Sequence, residues 1–194
     1  MSPLQKSIKR TFDFVLALIL VPIAILPFCV LWICAMIDTQ RNGIFSQVRI
    51  GQFGKPFMLY KLRSLRGADH NLGEFHKDAS AFGLWLRKSK LDELPQLFNV
   101  LIGDMSFVGP RPDLPGFADK LEGDDRIILD MKPGITGPAT IKYKNEDALL
   151  RAQLNPENYN RTKIWPDKVK INKNYVGNWS FYLDLKYIIH SLVS

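Results

Sequence analysis

Two adjacent carboxylates, Asp92 and Glu93, stand in Leu91-Asp92-Glu93-Leu94-Pro95-Gln96-Leu97, with Arg87, Lys88 and Lys90 just upstream. A helix start favours an acid by ~0.3–1 kcal/mol through the dipole, and with cations nearby it also suits phosphate. Asp92 is expected to stay ionised at neutral pH, able to act as a nucleophile or to bind Mg2+. Glu93, crowded by that charge, is expected to resist ionisation, as a proton-handling group should. An Asp-Glu pair at a helix start is otherwise an ordinary cap, so the chemistry needs partners. Arg111, set between Pro110 and Pro112, has a stiff backbone and a guanidinium suited to bidentate phosphate contact. Lys61 and Arg63 share one face of an expected strand, where they meet either phosphate or solvent.

These residues must be held by defined elements. Leu94, Leu97, Phe98 and Leu101 follow helical spacing, which predicts a helix over Asp92–Ile102. Pro95 then has to lie in its first turn, placing the N-terminus at Leu91–Glu93, and Gly103 stops it. Phe45–Ile50 and Pro56–Leu62, separated by Gly51 and Gly54, predict a β-hairpin. Gly67–Ser80, which contains His70 and His76, reads as a polar loop, and Phe82–Arg87 as a short helix. Gly109-Pro110-Arg111-Pro112 and Pro133-Gly134-Ile135-Thr136-Gly137-Pro138 are rigid turns, with a helical stretch expected between them around Leu114–Met131. Short helices and loops are expected from Lys142 to Lys173. Ser180–Val193 reads as an amphipathic helix with Asp184, Lys186 and His190 on its polar side, packed either on the bilayer surface or on the protein itself. The fold class is thus α+β, mostly helical with a small β-hairpin.

The 194 residues carry a formal charge of +7 and are 46% hydrophobic, which excludes a disordered or collagen-like chain. Apolarity is concentrated in Phe14–Ile37, 24 residues with no charged side chain. Both cysteines, Cys29 and Cys34, fall inside it, so there is no disulfide framework and no Cys/His zinc spacing. The run is long enough to span a bilayer. However, Lys6, Lys9 and Arg10 precede it, and Arg41, Arg49, Lys55, Lys61, Arg63 and Arg66 follow it. The positive-inside rule places both flanks in the cytoplasm. A re-entrant helix-break-helix satisfies that, entering one leaflet and bending at Pro22 or Pro27; the alternative is an ordinary signal-anchor span, which tolerates proline readily. The division expected is a membrane hairpin over 1–40 and a cytoplasmic domain over 41–194.

The block from Lys90 to Pro112, Lys-Leu-Asp-Glu-Leu-Pro-Gln-Leu-Phe-Asn-Val-Leu-Ile-Gly-Asp-Met-Ser-Phe-Val-Gly-Pro-Arg-Pro, resembles the signature of the monotopic phosphoglycosyl transferases, a group of bacterial sugar transferases. Lys9-Arg-Thr-Phe-Asp13, Tyr60-Lys61-Leu-Arg63-Ser64 and Pro133-Gly-Ile-Thr-Gly137 match as well, so the resemblance covers about Lys6 to Ile189. It implies a re-entrant helix with the catalytic domain on the cytoplasmic face of the bacterial plasma membrane. It also implies Mg2+-dependent transfer of a sugar 1-phosphate from a UDP-sugar to polyprenyl phosphate in two steps. Carried over by position, Asp92 is the nucleophile that releases UMP and a metal ligand, and Glu93 handles the acceptor proton. Lys61, Arg63, Arg87, Arg111, Pro112 and Lys144 bind the phosphates and substrate.

The chain departs from the pattern in three features. Val21-Pro22 and Leu26-Pro27 stand in place of a Ser-Pro break. Gly137-Pro138-Ala139 replaces Gly-Trp-Ala, with Lys144 where an Arg is common. Asn172 replaces a late Asp, for which Asp167 is the substitute within reach. Two other readings remain open on the residues alone. One is a hydrolase sharing the first half-reaction. The other is an anchored protein whose charge binds anionic lipid or nucleic acid, although no aromatic-basic RNA motif or recognition helix accompanies that charge.

Overall fold

The computed structural model describes residues 1–67 and 78–193, so most of the Gly67–Ser80 loop, with His70 and His76, lies outside the described residues. The chain opens with α1 (Pro3–Thr39), started by a capping box between Ser2 and Gln5 with Pro3 in its first turn. Helix continues through Pro22 and Pro27, so the expected break does not interrupt it. By length and composition α1 could cross a membrane.

The two ends of α1 are bound to the rest of the molecule. Near its start, Lys9 Nζ bonds Asp184 Oδ2 at 2.6 Å, and Arg10 donates to the Val100 and Leu101 carbonyls at 2.7 and 2.9 Å. Asp13 Oδ1 accepts from Ser106 Oγ and the Phe107 N–H at 3.0 and 3.1 Å. Near its finish, Asp38 accepts from Arg66 at 2.6 Å and from Ser80 Oγ at 2.7 Å. Ala17 and Ala35 are fully buried, while Leu18, Ile19, Ile23, Leu26, Val30 and Ile33 between them are exposed.

Strands β1 (Ile44–Ile50) and β2 (Pro56–Leu62) form the expected antiparallel hairpin, with Ile44 opposite Leu62 and Ile50 opposite Pro56. Then come α2 (Ala81–Lys88), α3 (Gln96–Ile102) and β3 (Ser106–Val108). β3 pairs in parallel with β4 (Gly134–Thr136), Ser106 opposite Gly134 and Val108 opposite Thr136. This short pair presses the two rigid turns together. A Cβ on Gly109 would stand 2.3 Å from the Lys132 carbonyl oxygen and 2.8 Å from the Gly134 nitrogen, so only glycine fits.

The intervening segment is not the α-helix expected over Leu114–Met131. It forms 3-10 turns at Ala118–Lys120 and Gly123–Asp130. Pro115 has no N–H to donate, and Gly116 and Gly123 take positive φ of 97° and 54°, which an α-helix cannot hold. The rest is helical: α4 (Pro138–Lys142), α5 (Glu146–Arg151), α6 (Pro156–Tyr159), a π-turn at Asn160–Ile164, α7 (Trp165–Gly177) and α8 (Phe181–Val193). The main core gathers Ala17, Leu59, Val100, Met105, Val108, Tyr175 and Val176 from α1, β2, α3, β3 and α7.

Helix α8 corrects another expectation. Asp184 is not on a solvated face but 1% exposed, where Lys9, Tyr175 and Trp179 all donate to it. Burial of this acid is tolerated because each of its oxygens has a partner. The apolar side chains Tyr182, Leu185, Ile189 and Leu192 face outward instead.

Candidate active site

The Asp92-Glu93 pair is positioned by a sharp change of direction. α2 ends at Ser89, Lys90 adopts a left-handed φ of 59°, and Leu91–Glu93 form a 3-10 turn before Pro95 and α3. The α-helix therefore begins at Gln96, five residues later than the expected Leu91 limit, and the carboxylates lie upstream of it. The expected helix-dipole contribution falls away, since that effect acts within the first turn. The buried face of α3 is also shifted. Phe98 points outward at 53% exposure, while Asn99 and Val100 are fully buried. Asn99 was not readable as a functional position. Its Nδ2 donates to the Met58 carbonyl at 2.8 Å and its Oδ1 accepts from the Tyr60 N–H at 3.2 Å. That clamp fixes β2 against α3 and so brings Lys61 to the acids.

Lys61 Nζ lies 2.9 Å from Glu93 Oε1 and 3.9 Å from Asp92 Oδ2. Arg111 Nη2 reaches the same Glu93 oxygen at 3.0 Å. Asp92 is 5% exposed, and its Oδ1 is buried with no hydrogen-bond partner. These environments order the two carboxyls opposite to the sequence expectation. Burial pushes the Asp92 carboxyl above the usual range, with Lys61 only partly opposing it. Burial would do the same to Glu93, but Arg111 and Lys61 together outweigh it and hold that carboxyl far below the usual range. Glu93 is the firmly ionised member because Arg111, eighteen positions away in sequence, folds onto it.

Asp92, Lys61, Arg87 and Arg111 line a cavity of about 610 Å³ that also contains Arg63, Pro112 and Asp113. That volume suits a ligand of nucleotide-sugar size. Arg87 donates to Asp147 at 3.0 Å across one wall. Arg63 is at the rim, its guanidinium donating to the Asn42 and Ile44 carbonyls at 2.7 and 3.2 Å and lying over the Phe45 ring. The Pro112 carbonyl accepts from Arg49 at 3.3 Å. Lys144 is exposed and does not line the cavity. Neither candidate for the late acid lines it: Asn172 is buried in α7 with an unpartnered Oδ1, and Asp167 accepts from Lys142 and Tyr143 at 2.6 Å each. Arg49, Asp113, Glu146 and Lys168 also line the cavity, although nothing in their local sequence marks them. Among the described residues no three His, Cys, Asp or Glu side chains converge on a metal position. Asp92 lines the cavity, and its Oδ1 is buried without a partner.

A buried, partly cation-compensated carboxylate facing a basic cavity, on a chain with a long bare apolar helix, is the equipment of an enzyme handling phosphorylated substrates at a membrane. The chain belongs to the bacterial sugar transferase family, whose model matches residues 4–194, and it is a transferase. An uncharacterized sugar transferase of Bacillus subtilis, EpsL, is 35% identical over 92% of this chain and 82% of its own length. A putative undecaprenyl-phosphate N-acetylgalactosaminyl 1-phosphate transferase of the same organism is 41% identical over 61% of this chain and 69% of its own length. The undecaprenyl-phosphate galactose phosphotransferase of Salmonella typhimurium is 32% identical over 93% of this chain, which spans only 39% of that enzyme.

Proposed function

We propose that this chain moves a sugar 1-phosphate from a UDP-sugar to polyprenyl phosphate through a phosphosugar covalently held on Asp92. The observation that carries this is a buried Asp92 carboxylate, incompletely bonded, lining a cavity that also bears Lys61, Arg87 and Arg111. A carboxylate oxygen of Asp92 attacks the sugar-linked phosphorus, the bridging P–O bond of the diphosphate breaks, and UMP leaves. An oxygen of polyprenyl phosphate then attacks the same phosphorus, forming a diphosphate and returning Asp92 as carboxylate. Lys61 and Arg111 turn to the donor's phosphate oxygens and loosen their hold on Glu93. Glu93 is then free to take the acceptor's remaining proton. Asp92 would hold Mg2+ through one oxygen, and the ion when bound neutralises charge on the diphosphate.

The membrane arrangement follows from α1. A helix that crossed a hydrocarbon core of ~30 Å would place its two flanks on opposite sides. Here Lys9, Arg10 and Asp13 at one flank and Asp38 at the other bind the same body, which supports entry into one leaflet and return to the cytoplasmic face. Pro22 and Pro27 each remove a helix hydrogen bond there and supply the place to bend. Residues 1–40 are then the membrane hairpin and 41–194 the cytoplasmic catalytic domain. α8, joined to α1 through the Phe12–Phe181 ring contact and the Lys9–Asp184 bond, turns Leu185, Ile189 and Leu192 toward the same lipid.

Mass spectrometry after exposure to UDP-sugars without acceptor should find the phosphosugar on Asp92, and Asp92→Asn should abolish both adduct and UMP release. Full UMP release by Asp92→Asn would refute the nucleophile. Sustained multiple-turnover release without polyprenyl phosphate would make the enzyme a hydrolase.

A further inference from the structure

The cavity wall also carries charged side chains that the chemistry at Asp92 leaves unused. Arg49, Asp113, Glu146 and Lys168 stand there beside Phe117 and Trp165, whose rings pack edge to face with centroids 5.5 Å apart. Lys168 and Glu146 satisfy each other, whereas Arg49 is only partly bonded, its Nε lying buried without a partner. Lys168 Nζ bonds both oxygens of Glu146 at 2.7 Å, and Arg49 donates to Gln47 Oε1 at 2.7 Å and the Pro112 carbonyl at 3.3 Å. Asp113 differs. Its backbone is fixed, because the carbonyl accepts the Ile50 N–H at 2.9 Å and Pro112 and Pro115 flank it closely. Its carboxylate takes no hydrogen bond or ion pair from any described residue. Asp113 lines the cavity together with Lys168, Arg49, Arg111 and Glu146. Burial pushes this group up to about 6 against the pull of Lys168, Arg49 and Arg111, which leaves it mainly ionised at neutral pH.

An anion held open toward a cavity repels phosphate and suits hydroxyl donors. Two carboxylate oxygens match the two hydroxyls of a vicinal diol, each taking one hydrogen bond of the charge-assisted kind. We propose that Asp113 is a specificity-determining residue that grips a vicinal diol of the nucleotide-sugar donor within this cavity. This rests on the donor reading above. A UDP-sugar offers such a diol on its ribose and, in most sugars, another on its hexose.

The test uses the full chain in lipid nanodiscs, comparing wild type with Asp113→Ala and Asp113→Asn. UMP release is measured with UDP-glucose, UDP-galactose and their N-acetylated counterparts, with UMP and 2′-deoxy-UMP titrated as competitors. Asp113→Ala should raise KM for the preferred donor about ten- to a hundredfold with kcat little changed, and Asp113→Asn should fall between. If the ribose is gripped, Asp113→Ala weakens UMP by that factor and leaves 2′-deoxy-UMP unaltered. If the hexose is gripped, UMP competes equally against all three proteins and the preference among donors flattens. Either pattern supports the proposal. Unchanged KM, competition and donor preference in Asp113→Ala overturns it, as does a loss confined to kcat. Should Asp113→Ala fail to fold by circular dichroism, the near-isosteric Asp113→Asn carries the same readouts. Wild type that releases no UMP from any donor would overturn the transferase reading and this inference with it. Normal release by wild type with unaltered variants removes this inference alone.

Discussion

Glu93→Gln removes one negative charge while keeping the side chain's shape. It leaves Lys61 and Arg111, which meet at the same Glu93 oxygen at 2.9 and 3.0 Å, without their common anion. Deleting one partner of a buried ion pair costs about 3–5 kcal/mol. The Lys61 and Arg111 side chains are 18% and 35% exposed, so water recovers part of that. The expected loss is about 2–3 kcal/mol. For a chain of this length it corresponds to a fall in Tm of roughly 5–10 °C. The pH dependence has a definite sign. The fold depresses the Glu93 proton affinity, so its contribution is fully present above the ordinary glutamate value of about 4.3 and is lost as pH falls through the lower folded value. Thermal unfolding of both proteins in nanodiscs should therefore show the full gap at pH 8 and pH 6 and a shrinking gap below about pH 4. A Tm for Glu93→Gln within about 1 °C of wild type at neutral pH would refute the view that this oxygen organises the two cations.

Two further substitutions probe the same frame. Lys61→Met removes the cation 3.9 Å from Asp92, leaving burial unopposed. The acidic limb of the UMP-release profile should move to higher pH, and an unmoved limb would show that the limb does not belong to Asp92. Gly109→Ala forces a methyl against the Lys132 carbonyl and the Gly134 nitrogen, so β3 and β4 must part. It should cost about 1–3 kcal/mol in unfolding experiments and raise KM through Arg111 two residues on, whereas wild-type stability and KM would refute the close approach.

The parts of the molecule that were legible in sequence are those set by local rules. Gly51 and Gly54 between β-leaning runs mark the hairpin, Gly103 stops α3 with a φ of 96°, and the uncharged run Phe14–Ile37 becomes bare helix. The Asp92, Lys61, Arg87 and Arg111 cluster was legible too, because residue types suited to phosphate fell in stiff or strand positions. What failed depended on distant partners. Asp184 looked solvated on a helical wheel because Lys9, 175 positions earlier, could not be placed beside it. The carboxyls at 92 and 93 were assigned in the wrong order because charge crowding between neighbours is weaker than two cations delivered by β2 and the Gly109–Pro112 turn. Over 114–131, apolar spacing suggested α-helix, yet glycines at positive φ impose tight turns. Asp113 and Asn99 carry no local signal, since both act through backbone fixed elsewhere in the chain.

The bond between Lys9 and Asp184 joins the first helix to the last. During synthesis the lysine emerges 175 residues ahead of its counter-ion. Arg10 and Asp13 can meet α3 and β3 as soon as those are made, but Lys9 stays without its acid until α8 follows. The start of α1 is therefore fastened in two stages, ordered by the direction of translation. Trimming the chain before Asp184 would keep the Arg10 and Asp13 contacts but leave Lys9 without its counter-ion.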